Sequence, residues 1–157
     1  MKRQLSVEYE FFESWKELSA EDQELVSNAY DIMDSAYAPY SKFKVGASLR
    51  LANDQIINGS NQENVAYPSG LCAERVALFY AGANYPDLEV ETLCVVAKGD
   101  LLPHEQLLSP CGGCRQVMME TESRQEKNIR VILVSQNDNA VIFSSSKSLL
   151  PLAFGVE

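Results

Sequence analysis

The sequence predicts an α/β fold, a three-layer α-β-α sandwich built around a five-stranded mixed sheet. Three observations predict it. Short runs rich in β-branched residues alternate with stretches whose apolar residues recur at helical spacing, in the order α-β-β-α-β-α-β-β. Strands interleaved with helices bury their apolar faces best as one sheet covered on both sides. The 157 residues show no internal repeat, low-complexity tract or dividing linker, so one domain over 1–157 is expected. With 46% hydrophobic and 22% charged residues, the chain resembles ordinary globular proteins in composition, and its length supports a core without disulfide staples.

The elements follow in order. Residues 1–18 read as an acidic, aromatic leader with a short helix. "SAEDQELVSNAYDIMDSAY" reads as a helix: Ser19 suits the N-cap, and Glu21 and Asp22 sit in the first turn, where the helix dipole favours acids. Leu25, Ala29, Ile32, Met33 and Ala36 make its apolar stripe, and Pro39 disfavours helical geometry at Ala38. "KVGASLRLA" and "QIINGSN" read as strands around a turn at Asn53-Asp54. "CAERVALFYAGAN" is a second helix, "ETLCVVAKG" a buried strand, and "CRQVMMETESRQ" a third helix. "IRVILVS" and "AVIFSS" are strands separated by the turn-forming "QNDN", and "SKSLLPLAF" closes the chain with a short helical turn.

Charge narrows the function. A net charge of −9 weighs against a polynucleotide partner, because nucleic-acid binders carry a basic footprint. No apolar run approaches the roughly 18 residues of a membrane span. Glu8, Glu10 and Glu13 stand where an export signal needs an apolar stretch, so a cytoplasmic location is expected. In a reducing compartment, four cysteines point to thiols or metal ligands before disulfides.

Three cysteines share a placement. Cys72 opens the second helix, and Cys111 and Cys114 open the third. Helix N-termini carry partial positive charge and unpaired N–H groups, which favour the thiolate, the metal-binding form of cysteine. Three thiolates converging from two helix starts suit a tetrahedral zinc ion with one position open. Glu74, two residues beyond Cys72, could exchange a proton with water at that position without being a ligand. Three thiolates leave the centre with a net charge of about −1, which Arg75 or Arg115 could offset by donating to the sulfurs.

Cys72-Ala73-Glu74 together with Pro110-Cys111-Gly112-Gly113-Cys114 resembles the Cys-x-Glu … Pro-Cys-x-x-Cys signature of zinc-dependent base deaminases. "APYSKFKVGASL", "NQENVAYPSGLCAERVAL", "SPCGGCRQVM" and "LLPLAFG" are similar to the matching blocks of the small homotetrameric cytidine deaminases that act on free nucleosides. The similarity covers roughly residues 20–155. It implies a cytidine deaminase-like fold, zinc as cofactor, and hydrolytic deamination of cytidine and 2′-deoxycytidine in pyrimidine salvage. It also implies a homotetramer with shared active sites. In that family's pattern Cys72, Cys111 and Cys114 are ligands, Glu74 is the general acid/base, and Arg75 tempers the thiolates. Asn61 and Glu63 hold the ribose, and Phe43 packs on the pyrimidine. Tyr67 shapes the pocket, the Ala73 backbone meets the base edge, and Phe154 caps the base in a neighbouring subunit.

Other readings stand beside these. Cys111 and Cys114 could form a redox pair, or Cys94 could complete a closed four-cysteine zinc site, although "TLCVVA" places Cys94 as a small buried hydrophobe. Taken alone, Glu74 suits the dipole, Asn61 and Glu63 suit loop solvation, Phe43 suits a core, and Phe154 could staple the tail. His104 reads as a solvated loop residue. The alternative functions are a blasticidin-type aminonucleoside deaminase, a polynucleotide deaminase and a non-catalytic zinc-stabilised interaction protein.

Overall fold

The computed structural model describes residues 1–155. Its sheet has six strands: β1 (Glu10–Phe12), β2 (Lys44–Leu51), β3 (Ile56–Ser60), β4 (Val90–Lys98), β5 (Arg130–Val134) and β6 (Ala140–Phe143), in the order β1-β6-β5-β4-β2-β3. β4 and β5 run parallel, and every other pair is antiparallel. The expected mixed α/β sheet is present, with one strand more than expected. The extra strand comes from the leader, which pairs Phe11 with Val141 along β6. It covers what would otherwise be an open edge of the sheet. Three residues are too short a run to carry a period-2 signal, so the pairing is decided by contact rather than by pattern. The expected leader helix shrinks to a 3-10 turn, Trp15–Glu17, closed by a reciprocal Ser14–Glu17 cap. The Trp15 N–H donates to the Asp138 carbonyl at 2.9 Å, and its ring faces Tyr30 at 6.0 Å.

Helix α1 (Ala20–Met33) starts where its cap predicts: the Ser19 hydroxyl accepts the Asp22 N–H at 3.2 Å. It stops well before Pro39. The N–H groups of Ser35 and Ala36 fold back on the carbonyls of Ile32 and Met33, and the Tyr37 N–H is taken by the Asn61 carbonyl. Pairing with the 61–63 segment therefore ends the helix earlier than proline chemistry requires. α1 lays Leu25, Val26, Ala29 and Met33 on one face of the sheet, against Cys94, Val96, Ile132 and Val134.

The opposite face carries α2 (Ala73–Asn84) and α3 (Gly112–Gln125), over Leu49, Leu93, Val95, Val131 and Leu133. β4 is thus buried on both sides, which is why it reads as one continuous apolar run. Gly59 lets α2 approach β3 closely, since a Cβ there would lie 2.6 Å from the Ala73 carbonyl oxygen. That approach sets the height of the α2 N-terminus above the sheet. Among the described residues no helix is long and apolar enough to cross a membrane.

Candidate metal centre and active site

The starts of α2 and α3 meet. Cys72 is the N-cap of α2 and Cys111 the N-cap of α3, and neither side chain caps its own helix. Both sulfurs are therefore free to point at each other. Cys114 follows in the first turn of α3, fully buried. The Sγ atoms of Cys72 and Cys111 are 3.8 Å apart, those of Cys111 and Cys114 3.5 Å, and all three fall within 4.8 Å of one another. Four-coordinate zinc with bonds of about 2.3 Å spaces its sulfurs by about 3.8 Å. The two shorter spacings lie close to that value, so the trio suits a tetrahedral zinc ion.

Electrostatics matches the donor set. The Cys72 thiol is pulled down to about 5, first by the Cys114 thiol that donates to it and then, against burial, by Arg75 and Cys111. The Cys114 thiol is pushed up, first by its hydrogen bond with Cys72 and then by burial. All three sulfurs would ligate a metal as thiolates. Arg75 Nη2 donates to Cys72 Sγ at 3.5 Å, as a group offsetting thiolate charge should. Arg115 does not share that role. It donates to the carbonyls of Pro110 and Leu149 at 2.8 and 2.9 Å and to the Ser109 hydroxyl at 2.7 Å, tying the segment before Cys111 to the chain's last helical turn. The Cys94 thiol lies across the sheet in the α1-side core, pushed up by burial, outside any ligand set. The redox reading of Cys111 and Cys114 must likewise yield to a third sulfur at the same point.

Glu74 is only 4% exposed and borders the same cavity as Cys72 and Cys111. Burial pushes its carboxyl up to about 7, and the nearby Cys72 sulfur adds to the rise. A carboxyl near 7 accepts and returns protons at neutral pH. Ala73 lies buried between Cys72 and Glu74 in the first turn of α2, where backbone N–H groups lack intrahelical acceptors.

The cavity above these groups has a volume of about 560 Å³, a size that suits a nucleoside-scale ligand. Phe43, Asn61, Glu63 and Tyr67 all border it. Phe43 is 8% exposed, so it serves the core and the cavity at once. Asn61 bridges β2: its Oδ1 accepts the Val45 N–H at 2.8 Å, and its Nδ2 donates to the Phe43 carbonyl at 2.9 Å. One N–H and one lone pair of that amide remain for a ligand. Glu63 accepts the N–H groups of Tyr40 and Ser41 at 2.9 and 3.3 Å and the Ser41 hydroxyl. The Ser41 hydroxyl holds the Glu63 carboxyl below its ordinary range, with the two backbone donors adding to the effect. Tyr67 stands exposed at the rim. Of the expected residues, buried Ala73 and Cys114 do not line the cavity, and neither does Phe154. Phe154 is 88% exposed, and its carbonyl accepts from Gln116 Nε2 at 2.8 Å. His104 is exposed, as expected.

A family model described as the cytidine and deoxycytidylate deaminase zinc-binding region matches residues 19–130. The chain belongs to this deaminase family. A cytidine deaminase of Mycobacterium tuberculosis H37Rv is 32% identical over 133 residues, which is 85% of this chain and 89% of that protein. One from Halalkalibacterium halodurans is 39% identical over 98 residues, 62% of this chain and 70% of the other. The crystal structure of cytidine deaminase from Burkholderia pseudomallei superimposes with a TM-score of 0.70 at 38% identity, covering 84% of this chain and 98% of that one. The crystal structure of the M. tuberculosis enzyme gives a TM-score of 0.65 at 30% identity, covering 85% and 97%.

Family membership and the sulfur trio together make zinc the cofactor of this deaminase. The leader, including β1, lies before the matched region. Sequence reasoning missed the wall formed by Leu101, Leu102 and Leu108 and the anchoring role of Arg115. The run before Pro110 has no periodicity to flag it, and an arginine's partners are not written in its neighbours.

Proposed function

We propose that this protein is a hydrolytic deaminase converting cytidine and 2′-deoxycytidine to uridine and 2′-deoxyuridine in pyrimidine salvage. The observation that carries the reading is the buried Glu74 carboxyl beside three converging cysteine sulfurs, at the base of a nucleoside-sized cavity. Zinc held by Cys72, Cys111 and Cys114 supplies activation of the water that attacks C4. Glu74 takes a proton from the attacking water at a carboxylate oxygen and delivers it to ring N3. It then takes the second proton from the hydroxyl added at C4 and passes it to the amino group, so that the C4–N bond breaks, the C4 carbonyl forms and ammonia leaves. Water is consumed and ammonia released, so no organic cofactor enters the balance.

The remaining residues bind and orient. The Phe43 ring packs on the pyrimidine, and the spare amide groups of Asn61 with the remaining lone pair of Glu63 hold the ribose hydroxyls. The Ala73 backbone meets the base edge, Tyr67 closes the rim, and Arg75 steadies the charge on Cys72. Phe154 is exposed and does not line its own cavity, which supports a role for it in the cavity of a neighbouring copy, within a homotetramer. Residues 1–157 form one deaminase domain on this reading, working in the cytoplasm on a free nucleoside rather than on nucleic acid; the net charge of −9 supports that choice.

Zinc-replete protein is incubated with cytidine while the absorbance change to uridine is followed. Turnover is expected, and folded, zinc-loaded protein that leaves cytidine intact overturns the reading. Sedimentation separates out the assembly: a fully active monomer excludes shared sites.

A further inference from the structure

We propose that Ser135 and Gln136 form a positioning clamp that shapes the substrate cavity, an inference that rests on the deaminase reading for the identity of its ligand. Between β4 and α3 the chain makes an excursion without regular structure, and three of its residues, Leu101, Leu102 and Leu108, wall the cavity. Within residues 99–108 the backbone makes a single bond to itself, from the Gln106 N–H to the Pro103 carbonyl. The segment is held instead by two side chains at the end of β5. Gln136 Oε1 accepts the Gly99 N–H at 2.9 Å, and Gln136 Nε2 donates to the carbonyls of Gly99 at 3.0 Å and Leu102 at 3.2 Å. Ser135 Oγ, on a residue only 2% exposed, accepts the Leu108 N–H at 3.1 Å. Both ends of the wall are thus fixed to one point on the sheet.

The clamp also reaches the opposite wall. Gly99 has φ of +145°, and a Cβ there would lie 2.6 Å from the Lys42 carbonyl oxygen and 3.0 Å from the Phe43 Cα. The Gly99 backbone therefore rests directly on Phe43, and only glycine satisfies both the conformation and the approach. Gln136, by gripping the N–H and the carbonyl of Gly99, sets the contact that seats Phe43. One amide side chain, itself outside the cavity, thereby spaces the apolar loop wall from the aromatic wall. A shift of one wall changes how the base is held more than it changes the groups around Glu74, which α2 positions independently.

Steady-state kinetics on cytidine, zinc content and hydrogen exchange of the 99–108 segment test the clamp in wild type, Gln136→Ala, Gln136→Glu and Ser135→Ala. Gln136→Ala should raise KM about tenfold, with the smaller part of the loss in kcat and zinc content unchanged. Gln136→Glu keeps the acceptor for Gly99 but sets a carboxylate oxygen against the Gly99 and Leu102 carbonyls, so its KM should rise at least as far as that of Gln136→Ala. Ser135→Ala, which removes only the bond to Leu108 and should raise KM less, replaces Gln136→Ala if that variant does not fold. Exchange at 99–108 should quicken in each variant. A wild-type KM in folded, zinc-loaded Gln136→Ala overturns the clamp, as does a loss confined to kcat. If the wild type itself leaves cytidine unchanged, the deaminase reading fails and exchange decides alone: faster exchange at 99–108 supports the clamp, and unaltered exchange overturns it.

Discussion

Arg75 and Cys72 face each other across the first turn of α2, with Nη2 of Arg75 donating to Cys72 Sγ at 3.5 Å. The Arg75 Nε is buried and has no hydrogen-bond partner among the described residues. A half-buried guanidinium so placed faces the sulfur charge, and removing it would leave three thiolates and one divalent cation without that offsetting positive group. Arg75→Gln should weaken zinc retention or turnover by about 10–100-fold. Competition with a chromophoric chelator, run beside a cytidine assay, measures both.

Glu74→Gln keeps size and polarity but removes the proton acceptor. Because Glu74 is not among the three converging sulfurs, the variant should retain zinc while turnover falls about 10²–10⁴-fold. Metal analysis and single-turnover kinetics check it, and full activity would remove Glu74 from the mechanism.

Cysteine substitutions should divide by location. Cys72→Ser breaks the sulfur trio and should lose zinc and activity together. Cys94→Ala, in the core beneath α1, should cost about 1 kcal/mol of stability and leave metal and turnover intact. Stripping the wild type with a chelator should abolish deamination and lower Tm, with zinc restoring both, since a ligand bound only by the folded state stabilises it.

Asp22 and Arg130 predict an acid limb of stability. Burial alone would raise the Asp22 carboxyl, but two hydrogen bonds from Arg130, at 2.6 and 2.8 Å, and its charge outweigh burial and hold it below 3.8. A lowered folded value means that this stabilisation is complete above the ordinary value and is lost as pH falls through the folded one. Asp22→Asn should therefore reduce stability at pH 7 and flatten the decline below about pH 4, as read from denaturant midpoints across that range.

Glu122 accepts four bonds while 1% exposed: from the Ile129 N–H, the Ser145 hydroxyl, and both the N–H and the hydroxyl of Ser146. Glu122→Ala strands two buried backbone donors at once. A loss of about 3 kcal/mol is expected, visible as a lower midpoint in urea unfolding.

What the sequence determined by itself is whatever depends on near neighbours or on composition. Ser19 caps α1 because its hydroxyl meets an N–H three residues on, and Cys72 and Cys111 open helices because the residues behind them are helical. The spacing of Cys111 from Cys114 puts both sulfurs on one turn, and Cys94 among apolar neighbours reads as core. The three converging cysteines and Glu74 were legible for that reason, each being defined within a few positions. Tertiary structure alone decided what depends on residues far apart. It added β1 to the sheet edge beside β6, ended α1 against Asn61, and turned Arg115 toward Leu149 rather than the sulfurs. It also made Gln136, which reads only as part of a turn, the support for Gly99 and so for Phe43. The physical reason is range. Caps and helix turns are satisfied over three or four residues, whereas a long side chain or a free strand edge takes whichever buried partner the fold brings within about 3 Å.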